Sequence, residues 1–292
     1  MLKGKIYKAV GGYFYVREQS GKRYLCRARG KLKKDGLALL AGDNVLFVLE
    51  DTEKEGALPG GIIEEKLPRV NVLNRPPVAN VDQLIIVMAL KDPPCDWMLV
   101  SRLLIQAEKE GLLAVVCLNK LDLINRNGRE IVTEMVAFLP YPVIYTSALH
   151  GEGLNLLLEH MQDKCSVMAG PSGAGKSSIL NRIDPSLSLT EGDLSRKTKR
   201  GKHTTRLSEL MMLEIGGSVV DTPGFTKLDL DGIEPRQLAS YFPEIKDCKK
   251  YCEFRDCLHL AEPGCAVKTQ IKSGISPWRY DHYVEMIKEL KE

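Results

Sequence analysis

Residues 170–178, GPSGAGKSS, have the composition and spacing of a loop that binds phosphate groups. In the pattern G-x-x-x-x-G-K-S, the glycines let the backbone approach a phosphate, and the backbone N–H groups point towards its oxygens. We expect Lys176 to reach the outer phosphates and Ser177 to ligate Mg²⁺. The apolar stretch CSVMA before the loop and SILNRI after it predict the strand and the helix that such a loop needs. The residues predicted to hold the phosphates are Gly170, Pro171, Ser172, Gly173, Ala174, Gly175, Lys176, Ser177 and Ser178.

Two segments upstream of this loop indicate which base is bound. NKLD, residues 119–122, follows the apolar run LLAVVCL, and TSA, residues 146–148, follows PVIY. Asp122 can accept hydrogen bonds from the N1–H and the amino group of guanine, whereas adenine lacks both donors and would leave the carboxylate unpaired. A helix N-cap or a turn is the alternative role for this aspartate. The predicted base-binding residues are Asn119, Lys120, Leu121, Asp122, Ser147 and Ala148.

Two segments downstream of the loop are expected to respond to a γ-phosphate. DTPG, residues 221–224, follows the strand-like GGSVV, which would place Asp221 for an outer-sphere contact to Mg²⁺ and the Gly224 N–H near the phosphate. The run SRKTKRGKHTTR, residues 195–206, has six lysines and arginines and no acid. Its Thr204 or Thr205 could ligate Mg²⁺, as the first switch of a GTPase does. The basic run could bind the phosphates of the nucleotide or an RNA backbone, and a mobile, solvated loop is the alternative.

The hydrolytic step has fewer candidates in the sequence. Phe225 stands directly after DTPG, where many GTPases carry a glutamine that positions water, so we expect slow intrinsic turnover. His203 is the candidate catalytic residue, because an imidazole can orient water or act as a general base. Contact with RNA or solvent is its alternative role.

The order of these motifs is that of a circularly permuted GTPase. In ordinary GTPases the motifs follow the order phosphate loop, first switch, DxxG, NKxD and SA. In this chain the order is NKLD, TSA, phosphate loop, switch and DTPG. Such a permutation is tolerable because the termini of compact domains often lie close together. Since DTPG leads directly into a cysteine-rich segment, we expect movement at 221–228 to reposition that segment.

Composition and charge restrict the class of protein. The 292 residues suggest two or three domains, and the longest apolar runs, 84–90 and 112–118, are too short to cross a bilayer. The N-terminal MLKGKIYKAV does not resemble a secretory signal, so we expect a cytoplasmic protein without membrane contact. The net charge is +3, but residues 1–36 carry +9 and the remainder −6, which favours phosphate contacts by the N-terminal part. A solvated basic face is the alternative.

Hydrophobic patterning divides the chain into three parts, so we predict a multidomain protein. Residues 1–68 alternate with a period of two and turn often, which predicts an OB-like β-barrel that binds RNA. Residues 69–230 begin with a proline-rich linker and then alternate strand and helix, as in a parallel α/β GTPase sheet. For residues 231–292 we predict a short, mainly helical domain that is stabilised by a bound metal ion.

In this combination of parts the chain resembles a known family: the circularly permuted GTPases RsgA, YjeQ and YloQ, which depend on the small ribosomal subunit. The basic barrel, NKLD, GPSGAGKSS, RGKHTTR, DTPGF and the cysteine module carry the resemblance over essentially the whole chain. It implies a factor in late maturation of the 30S subunit that binds ribosomal RNA, here the 16S rRNA, and hydrolyses GTP to GDP weakly until that subunit stimulates it. Nothing in the sequence suggests an obligate dimer, so we expect a monomer that uses Mg²⁺ with GTP.

Half of the eight cysteines fall within residues 248–265, a clustering that favours metal ligation over disulfides. The spacing C-x4-C-x-H-x5-C supplies three thiolates and one imidazole, enough for a closed tetrahedral Zn²⁺ site. The spacing resembles the family's zinc pattern, which implies Cys252, Cys257, His259 and Cys265 as ligands of one structural zinc. Cys248 is a competing candidate, and a metal-free group of core cysteines is the alternative reading.

Two other classes of function compete with the GTPase. A non-enzymatic module could use GTP only to stabilise an RNA-binding conformation, and Phe225 is compatible with it. A phosphate-loop kinase is disfavoured, because NKLD and DTPG serve guanine recognition and switching rather than phosphate transfer to a small molecule.

Overall fold

The computed structural model describes residues 1–30, 32, 38–50, 58–74, 77–189, 209–214, 216–220 and 230–291. Within it the chain divides into two compact units. The first contains Met1–Gln83, Leu158–Met168 and Leu180–Gly224, and the second contains Leu84–Leu157, Ala169–Ile179 and Phe225–Glu292. No helix in these described ranges has the length and apolar character needed to span a membrane.

A closed five-stranded barrel forms the N-terminal part of the first unit, as predicted. Its strands are β1 (Leu2–Val10), β2 (Tyr13–Glu18), β3 (Arg23–Ala28), β4 (Asn44–Leu49) and β5 (Gly60–Lys66). They are hydrogen-bonded in the order β1-β2-β3-β5-β4, with β3 and β5 parallel and the other pairs antiparallel. Alternate residues point inward, and Ile6, Val16, Cys26, Phe47 and Ile63 are fully buried in the barrel core. The period-two pattern of the sequence therefore corresponds to the alternation of inward-facing and outward-facing residues along each strand.

The segment after the barrel forms a short hairpin instead of an open linker. Strands β6 (Val72–Asn74) and β7 (Pro77–Ala79) pair antiparallel. The segment is held to the barrel by the buried Asp43, whose Oδ1 lies 2.6 Å from Arg69 Nε. Asn80 Nδ2 also donates to Gly42 O at 2.9 Å. A buried carboxylate needs a partner, and Arg69 supplies it from within the predicted linker.

The α/β part contributes strands to both units. In the second unit β8 (Gln83–Ala89), β9 (Leu113–Asn119) and β10 (Val143–Tyr145) take the order β10-β9-β8. In the first unit β11 (Cys165–Ala169), β12 (Leu210–Met212) and β13 (Ser218–Val220) take the order β11-β13-β12. Strands β10 and β9 pair in parallel, as do β11 and β13, whereas β12 runs antiparallel to β13. The antiparallel β12 departs from the all-parallel sheet that the sequence predicts.

Among the described residues, four α-helices belong to this α/β part. They are α1 (Trp97–Glu110), α2 (Arg126–Val136), α3 (Leu154–Met161) and α4 (Lys176–Ile183). Helix α1 begins after Asp96, whose side chain accepts from Leu99 N at 2.9 Å, and ends at Gly111 with φ +66°. Both signals are readable in the sequence, since aspartate is a favoured N-cap and glycine adopts the left-handed conformation that stops a helix.

The C-terminal part is mainly helical and packs against α1 and α2. Its helices are α5 (Pro235–Leu238), α6 (Pro243–Lys249), α7 (Ala266–Thr269) and α8 (Pro277–Glu289). Ile105 of α1 is buried in the same apolar cluster as Phe242, Ile245 and Tyr283. Ser101 Oγ lies 2.8 Å from His282 Nδ1, which adds a polar contact between α1 and α8. The zinc candidates of this part are therefore attached to the helices that flank the base-recognition segment.

Candidate nucleotide site and candidate metal centre

The phosphate loop connects β11 to α4, as its sequence predicts. Gly170 has φ +145°, and a Cβ added there would lie 2.0 Å from Val87 O, so the loop passes the end of β8 too closely for any other residue. Lys176 begins α4, and Ser177 is buried in the first turn of that helix. Ser172, Gly173 and Ser178 are exposed at the loop. This strand, loop and helix arrangement directs backbone N–H groups at a bound phosphate.

Lys176 is folded back onto the loop. Its Nζ donates to Gly170 O at 2.8 Å and to Pro171 O at 2.7 Å. Burial lowers the pKa of this lysine to about 8, because the ammonium form loses hydration there. Phosphate oxygens nearby would favour the charged form again. The side chain is thus placed to exchange its carbonyl partners for a nucleotide.

Asn119 joins the base-recognition segment to the phosphate loop. It is the last residue of β9, and its Nδ2 donates to Ala174 O at 2.9 Å. Its Oδ1 accepts from Thr146 Oγ1 at 3.1 Å and from Ala148 N at 3.2 Å. One buried amide thus contacts NKLD, TSA and the loop together, and it positions all three at the carboxyl ends of the strands, where open α/β sheets bind ligands.

Asp122 and Ser147 form the predicted base-contacting pair. Ser147 Oγ donates to Asp122 Oδ1 at 2.5 Å, which orients the carboxylate. Asp122 is exposed, whereas Leu121 buries its side chain in the core and donates its N–H to Thr146 O at 3.0 Å. The carboxylate is therefore accessible to a base, while the buried leucine side chain anchors the segment in the core.

Two contacts at this site involve residues outside the predicted set. Thr146 holds Asn119, and the carbonyl oxygen of Asp92 accepts a hydrogen bond from Lys120 Nζ. Asp92 lies in the loop that follows β8, so the rule that ligands bind at the carboxyl ends of strands points to this loop. Lys120 has φ +62°, which turns its side chain out of the strand direction towards this loop.

The predicted switch residues lie outside the described residues. These are His203, Thr204, Thr205, Asp221 and Gly224, together with Phe225. Their roles remain predictions.

The four predicted metal ligands converge in the C-terminal part. Donor atoms of Cys252, Cys257, His259 and Cys265 all lie within 4.8 Å of one another. His259 Nδ1 is 3.5 Å from Cys252 Sγ and 3.6 Å from Cys265 Sγ. A tetrahedral Zn²⁺ with ordinary Zn–S and Zn–N bond lengths requires an S···N distance of about 3.6 Å. The donor set therefore fits one zinc ion, with Nδ1 as the imidazole ligand.

Neighbouring groups hold this cluster in shape. The Glu262 carboxylate accepts from Leu258 N at 2.8 Å and from Leu260 N at 2.7 Å. Tyr280 OH donates to His259 O at 2.7 Å, which supports the left-handed backbone of the histidine at φ +61°. Cys248 lies outside the cluster and packs, partly buried, against the C-terminal core.

Burial makes this cluster dependent on a cation. It raises the pKa of the Cys257 thiol to about 12, so the thiolate forms at neutral pH only if a positive ion replaces the proton. Three thiols and one imidazole, with no open ligand position, suit a structural metal site.

Family models match the chain in two segments. The model described as the RsgA N-terminal domain matches residues 3–58, and the model described as RsgA GTPase matches residues 66–231. The chain belongs to the RsgA GTPase family. The resemblance predicted from the motifs is therefore confirmed, and so is the activity: the chain is a GTP hydrolase.

Curated relatives extend this similarity over the full length. A protein of Carboxydothermus hydrogenoformans is 41% identical over 293 residues, which cover 99% of this chain and 98% of the relative. One of Alkaliphilus metalliredigens is 44% identical over 296 residues, which cover 100% of this chain and 99% of the relative. Both are named small ribosomal subunit biogenesis GTPase RsgA.

Solved RsgA-family structures confirm the fold class. YjeQ from Thermotoga maritima aligns with a TM-score of 0.81 and 37% identity, over 99% of this chain and 98% of that one. YloQ, described as a circularly permuted GTPase, aligns with a TM-score of 0.82 and 36% identity, over 100% and 95% of the two chains. The barrel, the permuted GTPase part and the C-terminal part thus recur together.

Proposed function

We propose that this GTPase acts in late maturation of the 30S ribosomal subunit, where it binds 16S rRNA and is stimulated by that subunit. The observation that carries the proposal is full-length similarity to relatives whose name assigns them to small-subunit biogenesis. The excess of positive charge in residues 1–36 supports contact with an RNA backbone. The protein would act in the cytoplasm as a monomer.

The nucleotide-binding roles are proposed from the contacts around Asn119. Asp122 and Ser147 would select guanine, and Asn119, Lys120 and Ala148 would hold the base segment against the loop. The loop residues from Gly170 to Ser178 would bind the phosphates. Mg²⁺ would be ligated by Ser177 and by Thr204 or Thr205, with Asp221 in its outer sphere and the Gly224 N–H on the γ-phosphate. Cys252, Cys257, His259 and Cys265 would hold one structural zinc.

The test is GTP hydrolysis by the protein alone, with 30S subunits and with 50S subunits, and with ATP in place of GTP. Stimulation by 30S subunits only, together with no ATP turnover, is the expected result. Equal rates in every mixture would leave the GTPase intact but remove the ribosomal assignment.

His203 is proposed to orient water or to act as general base once the subunit is bound. His203→Ala should then lose most of the 30S-stimulated rate while it retains GDP affinity. His160→Ala serves as a matched control, because that histidine lies outside every motif of the nucleotide site. Full stimulated turnover by His203→Ala would remove the histidine from the mechanism without affecting the ribosomal assignment.

A further inference from the structure

Tyrosine rings and basic side chains share the outer side of the first three barrel strands. Strand alternation buries Ile6, Val16, Tyr24 and Cys26 inside the barrel, so the residues beside them in sequence face outward. A register shift between Ile6 and Lys8 breaks the alternation in β1 and pairs Lys8 with the outward Tyr15. The outward residues that concern us are Tyr7, Lys8, Tyr13, Tyr15, Arg23 and Arg27, which we call the aromatic face. In five-stranded OB-like barrels this side of strands two and three is available to bind chains of nucleotides.

Two rings of the aromatic face lie next to each other. The centroids of Tyr7 and Tyr15 are 5.9 Å apart, with an interplanar angle of 58°. Arg23 Cζ lies 5.8 Å from the centre of the Tyr7 ring, and Lys8 Nζ lies 5.9 Å from the centre of the Tyr15 ring. Each ring is therefore accompanied by a cation at a distance that suits attraction between the charge and the π-system.

A third ring is the most exposed of the set. Tyr13 pairs with Arg27 across β2 and β3, and Arg27 Cζ lies 5.0 Å from the ring centre. Arg27 Nη2 also donates to Tyr13 OH at 3.0 Å. Tyr13 is 39% exposed, and Arg27 is exposed as well. Ring and guanidinium thus form a solvent-facing pair held in place by its own hydrogen bond.

The part of the sequence that carries these rings has an excess of positive charge. Residues 1–30 contain eight lysines and arginines and a single acid, Glu18. The Glu18 carboxylate accepts from Tyr24 OH and Ser20 Oγ, and Glu209, from the segment before β12, pairs with Lys8 at 2.8 Å. Burial raises the pKa of Tyr7, so its phenol stays neutral and adds no negative charge. A polyanion fits this surface.

We propose that the aromatic face binds unpaired RNA nucleotides, whose bases stack on the tyrosines while their phosphates contact the neighbouring arginines and lysines. The proposal rests on the RNA-binding function proposed above and specifies the ligand. A duplex keeps its bases stacked on one another and would use only the cations, whereas unpaired bases use the rings as well. Three rings in two groups provide places for two or three bases.

The test measures binding of the full chain to two labelled ten-nucleotide probes by fluorescence anisotropy. One probe is a single-stranded RNA, and the other has the same phosphates but abasic sugars at its central positions. The native chain should prefer the base-bearing probe by at least about fivefold, since one stacked base contributes roughly five- to a hundredfold in affinity.

Paired variants separate the ring from the charge. Tyr13→Leu and Tyr15→Leu should weaken binding of the base-bearing probe by about five- to a hundredfold, without changing affinity for the abasic probe. Tyr13→Phe and Tyr15→Phe keep the ring and should bind like the native chain. Arg23→Gln with Arg27→Gln should weaken both probes and reduce the salt dependence of binding.

The outcomes distinguish this inference from the proposed function. Equal affinity for the two probes, or equal behaviour of the leucine and phenylalanine variants, overturns base stacking. If 30S-stimulated GTP hydrolysis then persists, the proposed function stands and the barrel contacts phosphates alone. Absence of 30S stimulation in the native chain removes the proposed function, even where the oligonucleotide still binds. Thermal unfolding of each leucine variant against its phenylalanine partner excludes misfolding as the cause.

Discussion

The side-chain amide of Asn119 donates a hydrogen bond to the carbonyl oxygen of Ala174 across 55 residues of sequence. The base-recognition segment therefore positions the phosphate loop directly, although the permuted order places it earlier in the chain. Because Asn119 Oδ1 also accepts from Thr146 and Ala148, a displacement of this amide disturbs the NKLD segment, the TSA segment and the phosphate loop together.

Gly175→Ala should weaken GDP binding by about five- to a hundredfold. A Cβ at this position would lie 2.2 Å from Asn119 Nδ2, and the backbone has φ +94°, so the substitution costs both strain and a buried hydrogen bond, about 1–3 kcal/mol together. Calorimetric titration with GDP measures the loss. Gly30→Ala is the matched control, because a Cβ there meets nothing within 4 Å. Native affinity in Gly175→Ala would show that the amide contact is dispensable.

Asp122→Asn should exchange guanine for xanthine. The carboxylate can accept from two donors of guanine, whereas an amide presents one acceptor and one donor, which match the N1–H and the 2-oxo group of xanthine. We expect GDP affinity to fall roughly a hundredfold or more and xanthosine diphosphate to bind better than GDP. Displacement of a bound fluorescent nucleotide by each of the two diphosphates measures the base preference. Unchanged preference for GDP would remove Asp122 from base recognition.

GDP binding should take up a proton at alkaline pH. In the nucleotide-free protein burial lowers the pKa of Lys176 to about 8, and the phosphates of GDP should raise it again. Lys176 is largely neutral above that pKa before GDP binds, so uptake should be about 0.1 proton at pH 7 and about 0.7 at pH 8.5. Titration in buffers of different ionisation enthalpy measures it. Lys176→Arg stays charged and should show no uptake from this position; equal uptake by both proteins would contradict the assignment.

Purified protein should contain one zinc ion per chain. Cys252→Ser should lose most of the zinc and unfold its C-terminal part at lower temperature, because a structural site contributes directly to folding. Cys248→Ser should retain the metal, since that thiol lies outside the cluster. Metal analysis by atomic emission gives both contents. Loss of zinc from Cys248→Ser to the same extent would reassign the fourth ligand.

Removal of one member of the buried pair Glu244 and Arg279 should destabilise the C-terminal part more than removal of both. Arg279 Nε donates to Glu244 Oε1 at 2.7 Å, and the guanidinium lies 4.2 Å above the Phe242 ring. Glu244→Ala leaves a buried cation alone, at a cost of about 3–5 kcal/mol, whereas the double change Glu244→Leu with Arg279→Met costs far less.

Tryptophan fluorescence during urea unfolding can measure this difference. The two tryptophans of the chain, Trp97 and Trp278, lie 5.2 Å apart between α1 and α8 and report on the junction itself. If the double variant is as unstable as Glu244→Ala, the ion pair stabilises the fold more than the apolar side chains that replace it.

The sequence predicts those elements whose signals are local. The bounds of helix α1 follow from local signals, because its apolar period, its N-cap Asp96 and its terminal Gly111 all lie within or next to the helix itself. The barrel strands likewise follow from alternation along each strand. The three-residue strand β12 is too short to show a period, and its direction depends on its partner β13. The hairpin of β6 and β7 depends on Arg69 reaching the buried Asp43, a pairing made in three dimensions.

The site shows the same division between local and distant signals. NKLD, TSA and the phosphate loop could be read as motifs, because their residue types and spacing are fixed by the chemistry of the nucleotide. The strand-end rule points to the loop that contains Asp92, but not to its hydrogen bond with Lys120, which joins the ends of two different strands. The convergence of Cys252, Cys257, His259 and Cys265 agrees with the spacing, but only the folded geometry separates them from Cys248.

The main-chain oxygen of Met135 near the end of α2 receives hydrogen bonds from Ser276 Oγ at 3.0 Å and Trp278 Nε1 at 2.8 Å. The two donors lie 141 and 143 residues after Met135 in the chain. During translation α2 is therefore synthesised long before the two side chains that donate to Met135 O. Ile105 of α1 is likewise synthesised long before the C-terminal residues that bury it. A chain terminated early carries both defects on its surface, where proteases and chaperones can distinguish it from a finished molecule.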